Sequence, residues 1–313
     1  MSNSKRKDFR RANFKGANFQ EANFQEANLQ GADLEMAKLQ VASLYGADIQ
    51  ETNLQEANLQ GTDLIDAKLE KANLQGANLI GANLQGADLE KANLQGANLQ
   101  EADLQGADLE KANLQGANLQ GANLQETNYQ MANLQEANLQ EANLIKANLN
   151  GANLQRANLR DANIQEAQLK ESDLREAKLG GANLEGAKLK EAKLEGANLE
   201  GAKLISANLK GANLKGANLK SANLIKANLN GANLQKANLQ EANLVKTNLK
   251  DTNFRKANLK GAKLKEAKLK GAQHLSIDQL SNVKTLYNAE LDEELLKPLK
   301  EKYPNLFEKP KDE

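Results

Sequence analysis

The 313 residues contain no cysteine, no tryptophan, one histidine, three prolines and ten aromatic side chains. Each shortage removes a class of answer. Without cysteine there is no disulfide, no thiolate metal site and no cysteine nucleophile. Forty-one basic side chains balance forty-one acidic ones, so the chain as a whole has no pull towards nucleic acid or an anionic membrane. No stretch approaches the ~20 consecutive apolar residues of a membrane span. The opening MSNSKRKDFRRANF is basic but lacks the apolar run of a secretory leader. The expectation is a cytoplasmic protein with no membrane association.

What is present is a period of five. An apolar residue stands at Phe9, Phe14, Phe19, Phe24 and Leu29, then at every fifth position to Leu269 without insertion or deletion, which makes 53 units. Leu is the usual occupant, with Ile49, Tyr129, Ile164 and Phe254 as the other exceptions. Two places earlier stands Ala, replaced only by Lys7, Thr52, Thr62, Thr127, Ser172, Thr247 and Thr252. At roughly 100° per residue, a helix would scatter these Leu around its circumference. A straight strand, with its side-chain period of two, would alternate them between faces. The chain must bend once per unit so that every Leu points to one axis. That is an all-β solenoid.

A weaker period sets the size of a coil. KANLQGANL begins at 71, 91 and 111, and Glu70, Glu90 and Glu110 share that spacing. Four units per coil give a square section and about 13 coils from the 53 units, a stack on the order of 60 Å at strand spacing. Central Leu and the preceding Ala face inwards. All glycines except Gly180 fall two places after the central residue, at a corner where a positive φ favours but does not require glycine.

Tandem A-(N/D)-L-x-x, as in ANLQGANLQEADLQ, resembles the pentapeptide-repeat family over residues 7–272. The resemblance implies a right-handed quadrilateral β-helix, and the handedness comes from it alone. A rigid rod that presents side chains at fixed spacing points to a non-enzymatic interaction or scaffold module. The resemblance implies an alternative, a DNA-mimicking binder of a type II topoisomerase such as DNA gyrase. Mimicry needs a strongly acidic surface. Here residues 21–130 carry 5 basic and 17 acidic side chains, whereas 181–272 carry 18 and 7. Only the first stretch suits that role, and no loop interrupts the repeats.

The remaining segments divide simply: residues 1–6 as a disordered tail, 7–272 as the β-helix, 273–307 as a helical cap and 308–313 as a frayed end. Four successive Phe would plug the open axis at the first coil. After Ala272 the pattern stops, with His274 where the next Leu would fall. Ile277, Leu280, Val283 and Leu286 have helical spacing, opened by the Ser276/Gln279 capping box. Leu291, Leu295, Leu299 and Tyr303 predict a second helix containing Pro298.

No chemistry emerges from the search for it. His274 is a boundary residue, the carboxylates repeat on solvated positions, the glycines belong to the repeat, and no metal-ligand spacing occurs. The expectation is therefore no catalytic residue, cofactor or metal. An outward column contains Tyr45, Ile65, Ile145, Ile205, Ile225 and Val245 where Gln is commonest. Contiguous exposed apolar surface marks interfaces, so these six are the candidate interaction surface for a protein partner. The same column, or an end of the stack, is where two copies would pair. Nucleic-acid binding through 181–272 lacks the surface aromatics that stack on bases.

Overall fold

A computed structural model describes residues 6–310. Its contacts divide the chain into two compact units, Met1–Asn158 and Leu159–Glu313, built on one plan. The residue before each central Leu bridges in parallel to its counterpart twenty residues on, as in Asn73↔Asn93↔Asn113 and Asn198↔Asn218↔Asn238. Twenty residues hold four five-residue units, so every coil has four sides. Asn93 shows the wiring: its N–H donates to Ala72 O at 2.9 Å and its own carbonyl accepts from Leu74 N–H at 2.7 Å. Both groups therefore point to the preceding coil.

A side cannot lengthen into a conventional strand because a corner follows the central residue. There the Ala N–H donates back three residues, as Ala97 does to Leu94 O at 3.0 Å. The second corner residue has positive φ at all 53 corners, and 32 of those residues are not glycine. A turn with this bond and a left-handed third residue has the type II pattern. Charged residues at these corners therefore carry a backbone cost of roughly 1–2 kcal/mol that glycine avoids. Val41, at φ 57, is the most unfavourable occupant, because β-branching makes that conformation a genuine outlier.

The interior is dry and uniform. From Leu29 to Leu269 every central residue is at most 2% exposed. Beyond the first coil the second inward position is buried and takes only small side chains, Ala or, in its place, Thr and Ser. Where Thr replaces it, the buried hydroxyl donates to the central carbonyl of the previous coil: Thr52 to Leu29 O at 2.9 Å, Thr247 to Leu224 O at 2.7 Å. Buried hydroxyls are tolerated when so paired. Among the described residues two buried hydroxyls lack a hydrogen-bond partner, Ser43 Oγ on a side and that of Tyr129, fully buried on the axis.

Asparagine on the sides has its own reason. Its Oδ1 accepts the backbone N–H two residues on, and its Nδ2 donates to the Asn one coil back. Gln95 N–H donates to Asn93 Oδ1 at 3.2 Å and Asn93 Nδ2 to Asn73 Oδ1 at 3.1 Å. Asp accepts in the same ladder, as Asp33 does from Asn53 Nδ2 at 3.0 Å. Lys has no acceptor, so Lys188, Lys193 and Lys203 break the ladder and project into solvent.

The last coils differ from expectation. The predicted first helix runs only from Ile277 to Ser281 (α1), with its capping box formed. Val283 and Leu286 lie beyond it. The segment LYNAEL, 286–291, repeats the turn of the solenoid: Ala289 N–H donates to Leu286 O at 2.9 Å, and Asn288 takes φ 53. Thr285 and Glu290 bridge to Lys263 and Lys268, so the chain rejoins the β-helix after α1. Long-range backbone pairing has overridden helical spacing. The second helix, α2, spans Glu293–Lys302 with Pro298 inside, and a 3₁₀ turn follows at Pro304–Phe307. Leu291 precedes α2, and Tyr303 ends it. Of the two expected tails, residues 1–5 and 311–313 lie outside the described residues. Arg6 is described, donating from Nε to Glu26 O at 2.6 Å.

Candidate interaction surface

Three kinds of outward position exist on each coil: the side residue before the central Leu, and the two corner residues after it. Corner positions twenty residues apart fall on adjacent coils, so they line up in columns along an edge. Tyr45, Ile65, Ile145, Ile205, Ile225 and Val245 all occupy the first corner position on the same kind of corner.

In the first unit Gly46 N–H donates to Ile65 O at 2.9 Å, placing Tyr45 and Ile65 on adjacent coils. Gln85, Gln105 and Gln125 then separate them from Ile145, which stands apart. Tyr45 is 42% exposed, whereas both isoleucines are half-buried. In the second unit the column is continuous. Ser206 N–H donates to Ile225 O at 2.9 Å and Lys226 N–H to Val245 O at 3.0 Å, so Ile205, Ile225 and Val245 occupy three successive coils, all half-buried. Glu185 and Lys265 end this strip. Lys203 and Lys263 flank it on the side, Lys226 and Lys246 on the corner. Lys246 also pairs with Glu266 at 3.4 Å. The result is a narrow apolar strip rimmed mainly by cations.

A different corner carries a regular series of ion pairs between neighbouring residues. In the first unit Glu70 and Glu90 pair with the next residue, Lys71 and Lys91, at 2.9 and 2.6 Å, and Glu110 pairs likewise with Lys111. The hydrogen bond from Lys91 holds the Glu90 carboxyl below the usual carboxylate range. In the second unit the order reverses: Lys170 pairs with Glu171 at 2.9 Å and Lys190 with Glu191 at 3.3 Å. These glutamates thus carry their own neutralising lysines, and all these pairs are too exposed to contribute much to stability. The linear sequence counts showed an acidic stretch. Lys71, Lys91 and Lys111 stand beside Glu70, Glu90 and Glu110 in the sequence, and the structure shows each pair formed.

His274 lies exposed at φ 56, just beyond the last complete repeat. Among the described residues no group of three or more His, Asp or Glu has metal-binding geometry, and no helix is long and apolar enough to cross a membrane. Asp173 and Arg175 form a two-bonded fork at 2.8 and 2.6 Å, but it lies on an open surface.

Comparison with known proteins agrees with the geometry. A family model for pentapeptide repeats matches stretches between residues 8 and 271. Among solved structures, HetL from the cyanobacterium Nostoc, described as involved in the regulation of heterocyst differentiation, is 39% identical, with 71% of this chain and 90% of that chain covered and a TM-score of 0.46. QnrB1, a plasmid-mediated fluoroquinolone resistance protein, is 19% identical over 65% of this chain and 98% of that chain, with a TM-score of 0.38. Rfr23 from the cyanobacterium Cyanothece is 29% identical over 46% and 91%, at 0.22. No curated protein sequence matches the chain. The four-sided parallel coils and the matched repeat together make the fold a right-handed quadrilateral β-helix.

Proposed function

The chain belongs to the pentapeptide-repeat family, and on that footing we propose that it is a non-enzymatic, cytoplasmic scaffold that binds another protein through its outer columns. The observation that carries this reading is the strip Ile205–Ile225–Val245 with Lys203, Lys226, Lys246 and Lys263 around it. A regular β-helix fills these positions with Gln elsewhere at no cost. Three β-branched apolar residues in consecutive coils form a contiguous patch, and a charged rim around an apolar centre is the usual anatomy of an interface. The partner it fits has apolar side chains in a line, bordered by carboxylates. Tyr45 and Ile65 form a second, smaller contact on the first unit.

The test is to bind partners to the intact chain and to the triple variant Ile205→Gln, Ile225→Gln, Val245→Gln. Gln is already common at these positions, so folding is expected to be unchanged by circular dichroism. Specific partners should be lost from the variant, and their binding to the intact chain should weaken with added salt. Retention of the same partners at the same strength would overturn the proposal. The topoisomerase reading is not adopted, since the chain has no net charge and residues 181–272 carry 18 basic side chains against 7 acidic. Addition of the protein to a gyrase supercoiling reaction is expected to leave the rate unchanged.

A further inference from the structure

The two extremities of the repeat are finished differently. At the last coil the free backbone groups are taken one by one. Gln279 Nε2 donates to Phe254 O and Ala257 O, each at 2.9 Å. Gly261 N–H donates to Asn282 O at 2.8 Å, Leu264 N–H to Thr285 O at 3.1 Å, and Leu269 N–H to Glu290 O at 2.8 Å. Gly271 N–H reaches the Asp292 carboxylate at 3.0 Å, which explains why Asp292 does not use that side chain to cap α2.

The first coil has nothing comparable among the described residues. Asp8, Asn13, Asn18 and Asn23 stand where every later coil sends N–H and C=O towards its predecessor, as Asn28 does to Lys7 O at 2.8 Å and from Phe9 N–H at 2.7 Å. Backbone N–H and C=O of Asn13 and Asn18 have no partner among the described residues, and only the Asn23 carbonyl is engaged, by Lys7 Nζ at 2.9 Å. Inside this edge Phe9, Phe14, Phe19 and Phe24 form a closed ring of edge-to-face contacts with centroids 5.1–5.8 Å apart. Three of the four remain part-exposed, unlike the axis beyond them.

We propose that this first-coil face is a docking surface for a second copy of the same chain, related by a two-fold axis perpendicular to the stack. A single extended peptide could pair with one side of a square coil. An identical coil pairs with all four sides together and meets the Phe ring with its own. The backbone geometry suits it: a residue that aims N–H and C=O in one direction makes the doubly bonded pair of an antiparallel ladder. The same surface on both partners closes the assembly at two.

Charge selects the axis. The Asn13 side is bounded by Arg10, Arg11 and Lys15, and the Asn23 side by Glu21 and Glu26 together with Arg6 and Lys7. An axis through the Asp8 and Asn18 sides lays Asn13 of one copy on Asn23 of the other, setting Arg11 near Glu26 and Lys15 near Glu21. The perpendicular choice sets three cations against three. The pairing requires Lys7 to release the Asn23 carbonyl, and Lys15 also contacts Glu35 at 2.9 Å.

Sedimentation of the full chain over a concentration series tests the proposal. The expected result is a monomer–dimer equilibrium. The charge reversals Arg11→Glu with Lys15→Glu, and separately Glu21→Lys with Glu26→Lys, should each weaken the homodimer on the order of tenfold or more. An equimolar mixture of the two variants should form the heterodimer. Arg11, Glu21 and Glu26 share one corner conformation, φ 52–58, so these exchanges leave backbone preference in place, which melting curves verify. A chain that sediments as a monomer at every accessible concentration overturns the proposal. So does a dimer insensitive to both reversals.

Discussion

Replacing Tyr129 by Phe should make the protein more stable. Tyr129 occupies an axis position, is completely buried, and its hydroxyl lacks any hydrogen-bond partner. Burial also pushes its ionisation far above the ordinary tyrosine range, so the group is neutral under all working conditions. An unpaired buried hydroxyl costs about 1–3 kcal/mol relative to a satisfied one. Removing the oxygen leaves a void of roughly 10–15 Å³, worth only ~0.3 kcal/mol at ~24 cal/mol per Å³. The aromatic ring itself is acceptable, because Phe254 sits on the same axis fully buried. The net expectation is a gain of about 1–2 kcal/mol, seen as a higher urea midpoint at unchanged slope and a melting temperature raised by about 2–4 °C per kcal/mol. The reciprocal variant, Phe254→Tyr, should lose about 1–3 kcal/mol by creating a second orphan hydroxyl on the axis. If Tyr129→Phe is neutral or destabilising, the hydroxyl has a partner, and the dry-axis account is wrong at this coil.

Leu144→Ala should cost ~2–5 kcal/mol by opening a cavity in the axis, whereas Gln140→Ala on the corner should stay within ~0.5 kcal/mol; equal losses in urea denaturation would invert the assignment of inside and outside. Val41→Gly removes a β-branched residue from φ 57 at a position 66% exposed and should raise the melting temperature; an unchanged or lower value would show that this corner stores no strain. Truncation after Ala272 strips the bonds supplied by Gln279, Asn282, Thr285, Glu290 and Asp292, so light scattering should show oligomers while β-structure persists; a truncated chain that stays monomeric refutes a capping role. Burial opposes ionisation of Asp173, but the Arg175 fork outweighs it and holds the carboxyl below its usual range. A depressed carboxylate contributes stability that is present above its unfolded value and lost as pH falls through the folded one. Asp173→Asn should therefore flatten the acid limb of stability against pH, and an unchanged limb would assign that limb to other carboxylates.

Much of the candidate surface was legible because each repeat assigns its roles locally. Ile205, Ile225 and Val245 could be placed outside from the pentad and on one column from the twenty-residue spacing. Their lysine rim could not. Lys203 and Lys263 come from the side, Lys226 and Lys246 from the corner, and only the coil geometry sets these positions around one strip. The pairing of Glu70, Glu90 and Glu110 with the lysine after each was legible from their adjacency, and the structure shows the pairs in contact.

The sequence by itself determined the central Leu axis, the small inward Ala, the 53 corners and the pairing distance of twenty, because each follows from chain geometry repeated without interruption. Tertiary structure decided what happens where the repetition stops. LYNAEL, 286–291, has apolar residues at helical spacing before it, yet the open backbone of Lys263 and Lys268 captures it as further solenoid. Gln279 and Asp292 are spent on carbonyl and amide groups of residues 254–271. At the opposite extremity, four Phe that look in sequence like a finished plug form a ring still part-open to solvent. Local pattern sets what each unit offers its neighbours. Which of those offers is met depends on groups brought together from far along the chain, and buried or edge backbone must find partners wherever the fold supplies them.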